Sequence, residues 1–193
     1  MVQHCLARAA GVFAAVVLLP VRGAWAEHQA LRRVSQLTAV EEAGLERRPG
    51  VMHKEVAFRR DGLLTVRTQD SREITADLEV PDSYETFMRG LMYRSSVCDH
   101  CSMMFAWTRD GSRPFWMKDT WIPLDLVWVS HDNVIVDIKQ ARANDLSSVK
   151  NESPAQYVFE FREHWCADHG VAVGDTLSWR HESHRPAFVA PDF

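Results

Sequence analysis

From Leu63 onward, apolar and polar residues alternate along this chain, and this alternation constrains the fold more than any other feature. Between Ile74 and Val80 every second residue is apolar, which places one face of an extended strand in a core and the other towards solvent. The same period recurs at 157–162, and a further strand is predicted at 176–179. Several short strands with two short helices predict a mainly β protein, a single β-sandwich or barrel rather than an α/β fold.

Two local elements can be predicted from their turn residues. A helix is expected after the strand at 74–80, with Asp82 as its N-cap and Glu85 completing a capping box. Its apolar stripe consists of Tyr84, Phe87, Met88, Leu91 and Met92. The runs 124–129 and 134–139 are expected to pair as a hairpin, with Asn133 in the left-handed conformation in its loop.

The N-terminal segment, residues 1–26, has the pattern of a cleaved signal peptide. Arg8 precedes an apolar stretch, 9–21, that is followed by small residues and is too short for an ordinary spanning helix. An uncleaved membrane anchor or an organelle transit segment is the alternative. We therefore predict a secreted or periplasmic protein. Its remaining parts are a helical or partly disordered extension at 27–62, a β domain at 63–180 and a tail at 181–193.

The charge balance limits the kinds of partner. Without residues 1–26 the chain carries 20 basic and 26 acidic residues, a net charge of −6. This balance disfavours non-specific binding to nucleic acid or to anionic membranes. We expect no nucleic-acid partner, and membrane association only if the N-terminal segment is not cleaved.

The run 114–125, PFWMKDTWIPLD, concentrates three aromatic residues, a lysine and two aspartates between predicted strands. Four further blocks accompany it: ITADLEV with RGLMYR (74–94), CDHCSMMFAW (98–107), AQYVFEF (155–161) and HWCADHGVAVGDTLSW (164–179). Together these blocks resemble domain-of-unknown-function family 192, small extracytoplasmic or membrane-tethered domains whose activity is not established. The resemblance implies a jelly-roll-like sandwich. The chain departs from the family pattern at Ser102, where members usually have glycine, and at Cys166, where they usually have a small residue.

Polar groups beside tryptophans make the 114–125 segment the predicted functional surface. In one interpretation these side chains line a small-ligand pocket, because such pockets place a few polar groups within an aromatic wall. In the other, Asp125 belongs to a strand that is apolar on both faces and forms a structural ion pair with Lys118, Arg89 or Arg94. The predicted ligand-binding residues are Trp116, Lys118, Asp119, Thr120, Asp125, Arg89 and Arg94.

The cysteines leave two chemistries open. Cys98 and Cys101 form a CxxC pair that can close as a disulfide in an oxidising compartment, leaving Cys166 as a free thiol. Alternatively, Cys98, Cys101, Cys166 and His169 provide the ligand types of a Cys3His zinc site.

Catalytic signatures are absent from the sequence: it contains no GxSxG, HExxH, P-loop or GxGxxG pattern. We therefore predict a small-ligand-binding or accessory module that needs no cofactor. Its partner is expected to be a small ligand or a protein of the envelope or secretome. The alternative is a metal- or disulfide-dependent enzyme built on the cysteines and His169, with zinc as its cofactor.

Overall fold

The computed structural model describes residues 55–192. The predicted signal peptide and most of the predicted extension at 27–62 lie outside the described residues. The strands are β1 Gly62–Arg67, β2 Glu73–Glu79, β3 Cys101–Gly111, β4 Leu124–Val129, β5 Ile135–Ala141, β6 Ala155–Arg162, β7 Thr176–His181 and β8 Val189–Ala190. The helices are α1 Tyr84–Arg89 and α2 Trp165–His169. The prediction of a mainly β protein with two short helices is confirmed.

The strands form one sheet in the order β5-β4-β6-β3-β2-β1-β7, and β8 pairs with β3 outside this path. Most neighbours are antiparallel, whereas β3 runs parallel to both β2 and β8. The two ends of the sheet approach each other at one bridge, between Val134 and Thr176. There the Leu177 N–H donates to the Asn133 carbonyl at 2.8 Å. The sheet is thus curled like a barrel without a ladder that closes it.

Strand β4 is buried on both faces, as its apolar sequence predicts. Val127 and Val129 belong to one core, which α2 covers with Trp165. Leu124, Leu126 and Trp128 belong to a second core on the opposite face of the strand. The two cores cover both faces of β4, and its pairing with β5 and β6 occupies both of its edges.

The hairpin prediction is confirmed, whereas the cap of α1 differs from its prediction. Strands β4 and β5 pair antiparallel, and Asn133 has a φ of 62°. Ser83, not Asp82, is the N-cap of α1, and Thr86, not Glu85, completes the capping box. Ser83 and Thr86 have the three-residue spacing that a capping box requires, shifted by one position from the predicted pair.

The predicted apolar stripe of α1 is split because the helix ends at Arg89. Gly90 follows with a φ of 51°, which redirects the chain before Leu91 and Met92. Leu91 is buried, whereas Tyr84 and Met88 are 63% and 48% exposed. Among the described residues, no helix has the length and apolar character to cross a membrane.

The C-terminal residues run back across the domain as a strap, which we define as residues 183–192. The Phe188 N–H donates to the Pro81 carbonyl at 2.7 Å. The ring of Phe188 contacts the ring of Phe87 at a centroid distance of 5.3 Å. Asp192 ends the strap in an ion pair with Arg113, with 2.6 Å between oxygen and Nη2. The predicted tail therefore contains an ordered strand and two anchoring side chains.

Candidate functional site

A cleft of about 120 Å³ is lined by α1, the loop that follows it, β3 and the segment 114–120. Most of its wall is apolar, and its polar lining consists of Arg89, Thr120 and Glu160. The aromatic residues of the wall are Phe87, Phe105, Trp107, Phe115 and Trp116. A largely apolar cleft with a few polar groups is the usual construction of a small-ligand site.

Four of these rings contact one another in a closed cycle. The centroid distances are 5.2 Å from Phe87 to Phe105 and 5.2 Å from Phe105 to Phe115. The cycle continues at 6.3 Å from Phe115 to Trp107 and closes at 5.3 Å from Trp107 to Phe87. All four contacts are edge-to-face, the arrangement that aromatic quadrupoles favour. The rings come from α1, β3 and the 114–120 segment, so the cycle joins three parts of the fold into one rigid wall.

Glu160 lies at the buried end of the cleft. Glu160 is 6% exposed. Its Oε2 atom is buried and has no hydrogen-bond partner among the described residues. Burial raises the pKa of this carboxyl group to about 8, against a counteracting effect of Arg94 and with a further increase from Glu79. Its carboxyl group is therefore mostly protonated at neutral pH and can donate a hydrogen bond.

Arg94 and Glu79 neutralise each other beside Glu160. Their side chains form two hydrogen bonds, of 2.9 Å and 2.8 Å, and both are buried. In a bidentate guanidinium–carboxylate pair the two opposite charges largely cancel. Arg94 therefore lies next to Glu160 but does not line the cleft.

Gly90 keeps the buried end of the cleft open. A Cβ atom at this position would lie 3.3 Å from Cζ of Phe105 and 3.7 Å from Oε2 of Glu160. Its φ of 51° also belongs to the region that side chains rarely adopt. A larger residue would therefore cover the Glu160 carboxyl group and strain the end of α1.

Of the predicted binding residues, three line the cleft: Arg89, Trp116 and Thr120. Arg89 is half-buried, its Nε atom has no hydrogen-bond partner, and it forms no ion pair with any described residue. Lys118 lies over the Trp116 ring, with Nζ 5.4 Å from the centroid. Asp119 accepts a hydrogen bond of 3.0 Å from the hydroxyl of Tyr93. Lys118 and Asp119 are therefore chain neighbours of the cleft residues Trp116 and Thr120, but they do not line the cleft.

Asp125 does not line the cleft, and its partners differ from the predicted cations. Its Oδ1 and Oδ2 atoms accept hydrogen bonds from the backbone N–H groups of His164 and Cys166, at 3.1 Å and 2.9 Å. These donors begin α2, where the first N–H groups have no partner within the helix. The buried carboxylate is thus paired by backbone donors, which a search for charged side chains cannot detect.

The four predicted zinc ligands are not brought together. Cys98 and Cys101 form the predicted disulfide, with a Cα–Cα distance of 5.1 Å, and Cys166 is a buried free thiol. Burial and the adjacent carboxylate of Asp125 raise the pKa of the Cys166 thiol. His169 stacks on Trp165 and pairs its Nδ1 atom with that residue's carbonyl oxygen at 2.9 Å. Residues 55–192 contain no group of three or more His, Cys, Asp or Glu side chains positioned to hold a metal ion.

Glu160 was missed from the sequence because it sits in an alternating strand, where a glutamate is expected to face solvent. In the structure this face of β6 is covered: Glu160 is 6% exposed, and the turn at Gly90 lies over its carboxyl group. The only available signal was a single acidic residue within the apolar run AQYVFEF. The four-ring cycle was missed too, because its members are distant in sequence and each one alone fits a core position.

These features define a mainly β domain with a curled, open sheet and an aromatic cleft that contains a buried carboxyl group. The chain belongs to the family of uncharacterised proteins DUF192, described as "Uncharacterized ACR", whose model matches residues 64–179. The strap lies beyond the matched residues.

Two solved structures share the fold. One is from Sinorhizobium meliloti 1021 and is described as a candidate transcription regulator; it is 25% identical, with a TM-score of 0.60 over 65% of this chain and 98% of that protein. The other is a protein of unknown function from Novosphingobium aromaticivorans DSM 12444; it is 26% identical, with a TM-score of 0.57 over 61% of this chain and 84% of that protein. The comparison with curated proteins found no match.

Proposed function

We propose that this protein is a binding module that takes a small ligand in the aromatic cleft. The observation that carries the proposal is the Oε2 atom of Glu160, which is buried at the end of the cleft and has no hydrogen-bond partner in the part of the chain that the structure describes. Native proteins pair nearly all buried polar groups, and an unpaired one marks a strained or functional position. A ligand that enters the cleft can supply the missing partner.

The exposed side chains at the mouth of the cleft support the same function. Trp116 is 47% exposed and Met88 is 48% exposed, and both line the cleft. Large exposed apolar side chains next to a concave site are typical of surfaces that bind other molecules. Lys118, which lies over the Trp116 ring, is placed to contact the outer part of a bound ligand.

The proposal places the module in the periplasm or outside the cell, after removal of residues 1–26. The Cys98–Cys101 disulfide supports an oxidising compartment. Without residues 1–26 the net charge is −6, which disfavours binding to nucleic acid, although the Sinorhizobium protein is described as a candidate transcription regulator. Intact mass of the exported protein tests this part of the proposal, since cleavage after Ala26 is expected and retention of the segment contradicts it.

A fragment screen by ligand-observed NMR tests the binding function. The full chain is compared with two variants, Trp116→Ala and Trp121→Ala. These tryptophans are matched, because they are 47% and 46% exposed, but only Trp116 lines the cleft. We expect fragments that bind the full chain and Trp121→Ala and that no longer bind Trp116→Ala. Fragments that bind all three proteins equally, or none, contradict a binding site in the cleft.

A further inference from the structure

We propose that the ligand of the cleft is a small monocarboxylate with an apolar body, whose carboxylate lies between the guanidinium of Arg89 and the carboxyl group of Glu160. This inference rests on the proposed binding function and names the chemical class of the ligand. It is carried by two polar groups that line one cleft and have no hydrogen-bond partner within residues 55–192, Nε of Arg89 and Oε2 of Glu160.

The charges around the cleft favour an anion. Arg94 and Glu79 form a closed pair, so they contribute little net charge. Arg89 forms no ion pair with any described residue, and Lys118 adds a second positive charge over the Trp116 ring at the mouth. A half-buried guanidinium remains charged at all ordinary pH values. An anionic ligand would supply the counterion that this cation lacks, and a cationic ligand would be repelled by it.

Glu160 favours a hydrogen-bond acceptor as its ligand. Its pKa of about 8 makes it a neutral acid at pH 7, so its O–H can donate to a carboxylate oxygen. The charged groups that influence it are Arg94 and Glu79, and Arg89 faces the same cleft from α1. Directly across the sheet it is paired with Met103 of β3 and Leu126 of β4, which do not titrate. Arg94, the cation that lowers the pKa of Glu160, is already paired with Glu79.

The size of the cleft limits the apolar body. Its volume of about 120 Å³ is slightly smaller than the roughly 150 Å³ of an engineered cavity that binds benzene. A ligand, or the inserted part of a larger one, therefore has about as many heavy atoms as benzene. A short-chain monocarboxylate such as butyrate meets this limit, and its alkyl chain can pack against the aromatic wall.

The test is a titration of the full chain with three matched probes, butyrate, butyramide and butylammonium, at pH 6.0 and 9.0. Binding is measured from the ¹³C-methyl resonances of Met88 and Met92, which line the cleft. We expect butyrate to bind more tightly than the other two probes. Its affinity should fall roughly tenfold from pH 6.0 to 9.0, because a group with a pKa of about 8 is almost fully protonated at the first pH and about one-tenth protonated at the second.

Three variants assign this behaviour to the two named groups. Glu160→Gln keeps a donor that does not titrate, so butyrate should still bind and its affinity should change less than about twofold between the two pH values. Arg89→Met should lose butyrate binding while it keeps a side chain of similar length. Arg142→Met is the control, because Arg142 is exposed and does not line the cleft, and it should bind butyrate like the unmodified chain.

Two results overturn the inference and differ in what they say about the binding function. If butyramide or butylammonium shifts Met88 and Met92 more strongly than butyrate, or if binding strengthens with rising pH, the cleft binds a ligand of another class. If none of the three probes shifts these resonances and the fragment screen also finds no cleft binder, the proposed function fails together with the inference.

Discussion

Arg94 and Glu79 form a two-point ion pair within the domain, with Nη1–Oε2 and Nη2–Oε1 distances of 2.9 Å and 2.8 Å. Their side chains are only 3% and 6% exposed. The pair lies beside Glu160, whose pKa is raised mainly by burial, lowered by Arg94 and raised further by Glu79. The cleft thus has a neutral acid at its end, because burial outweighs the effect of a cation that is already paired with another carboxylate.

Removing one partner of this pair should be costly. Arg94→Met leaves Glu79 buried without its counterion, and breaking a buried pair in this way costs about 3–5 kcal/mol. The double variant Arg94→Met, Glu79→Met should recover much of that loss, since no uncompensated charge remains. Urea unfolding of the two variants provides the measurement. Arg67→Met is the control, because its ion pair with Glu73 is exposed and should matter little; a similar loss in both single variants would contradict the expectation.

Glu160 should make the domain less stable as the pH rises from about 4.5 to about 8. Its pKa in the folded state is about 8, and the ordinary pKa of a glutamate is 4.5, so within this window the unfolded chain releases a proton that the folded chain keeps. The folded state binds more protons there, and stability therefore falls with pH by about 1.4 kcal/mol per pH unit. Below the window both states are protonated and the effect vanishes.

Glu160→Gln isolates this contribution. The variant lacks the titrating group, so its stability relative to the unmodified chain should increase with pH across the same window and level off above it. Unfolding by urea at a series of pH values, with both proteins measured side by side, provides the comparison. A constant difference between the two proteins from pH 4.5 to 8 would show that the carboxyl group is not protonated in the folded domain.

Asp125 should matter for stability and not for ligand binding. Asp125→Ala removes the acceptor of two backbone N–H groups, those of His164 and Cys166, and buried donors left without a partner cost about 1–3 kcal/mol each. Thermal unfolding measures the loss, and the cleft resonances of Met88 and Met92 report binding. Weakened binding by the folded variant would return Asp125 to the ligand-binding residues predicted from the sequence.

The thiols should differ sharply in reactivity. Cys166 is buried, and its burial and Asp125 raise its pKa, so it should resist alkylation in the native protein and react after denaturation. Without residues 1–26, denatured protein should show one reactive thiol before reduction and three after it. Mass spectrometry after alkylation counts them. A native protein that alkylates Cys98 or Cys101 before reduction would contradict the disulfide.

The strap should stabilise the cleft through Phe188. Its ring contacts Phe87 at 5.3 Å, and Phe87 belongs to the four-ring cycle. Phe188→Ala is expected to lower the free energy of unfolding by about 1–2 kcal/mol, since a partly buried ring loses its apolar contacts, and to weaken ligand binding by loosening Phe87. Val189→Ala is the neighbouring control, because Val189 is 46% exposed and pairs in β8. Equal effects of the two changes would assign the loss to β8 pairing instead.

The helix cap illustrates how far local sequence signals reach. The sequence 82–86 contains enough capping residues to predict the start of α1, but two overlapping pairs satisfy the spacing of a capping box. Ser83 and Thr86 form the box, whereas Asp82 accepts a hydrogen bond from the Thr86 hydroxyl through Oδ1 and pairs through Oδ2 with Arg59 and Arg185 at 3.2 Å and 2.9 Å. Both arginines come from distant parts of the chain, so the ion pairs of Asp82 depend on tertiary contacts.

The sequence by itself determined the elements whose cause is local. The period-two alternation predicted the β class, the double-sided apolar run predicted that β4 is central, and the Asn133 loop predicted the hairpin. The short CxxC spacing indicated the disulfide, with zinc ligation as the alternative. In each case the residues that decide the structure are neighbours along the chain, so their pattern is visible without the fold.

Only the tertiary structure decided the site. It placed the turn at Gly90 over Glu160 and thereby buried it, it paired Arg94 with Glu79, and it gave Asp125 the backbone donors of α2. The physical reason is common to all three: the burial and the partner of a charged group depend on which distant segments pack around it. A carboxylate in an alternating strand has the same sequence pattern whether it faces water or the end of an aromatic cleft.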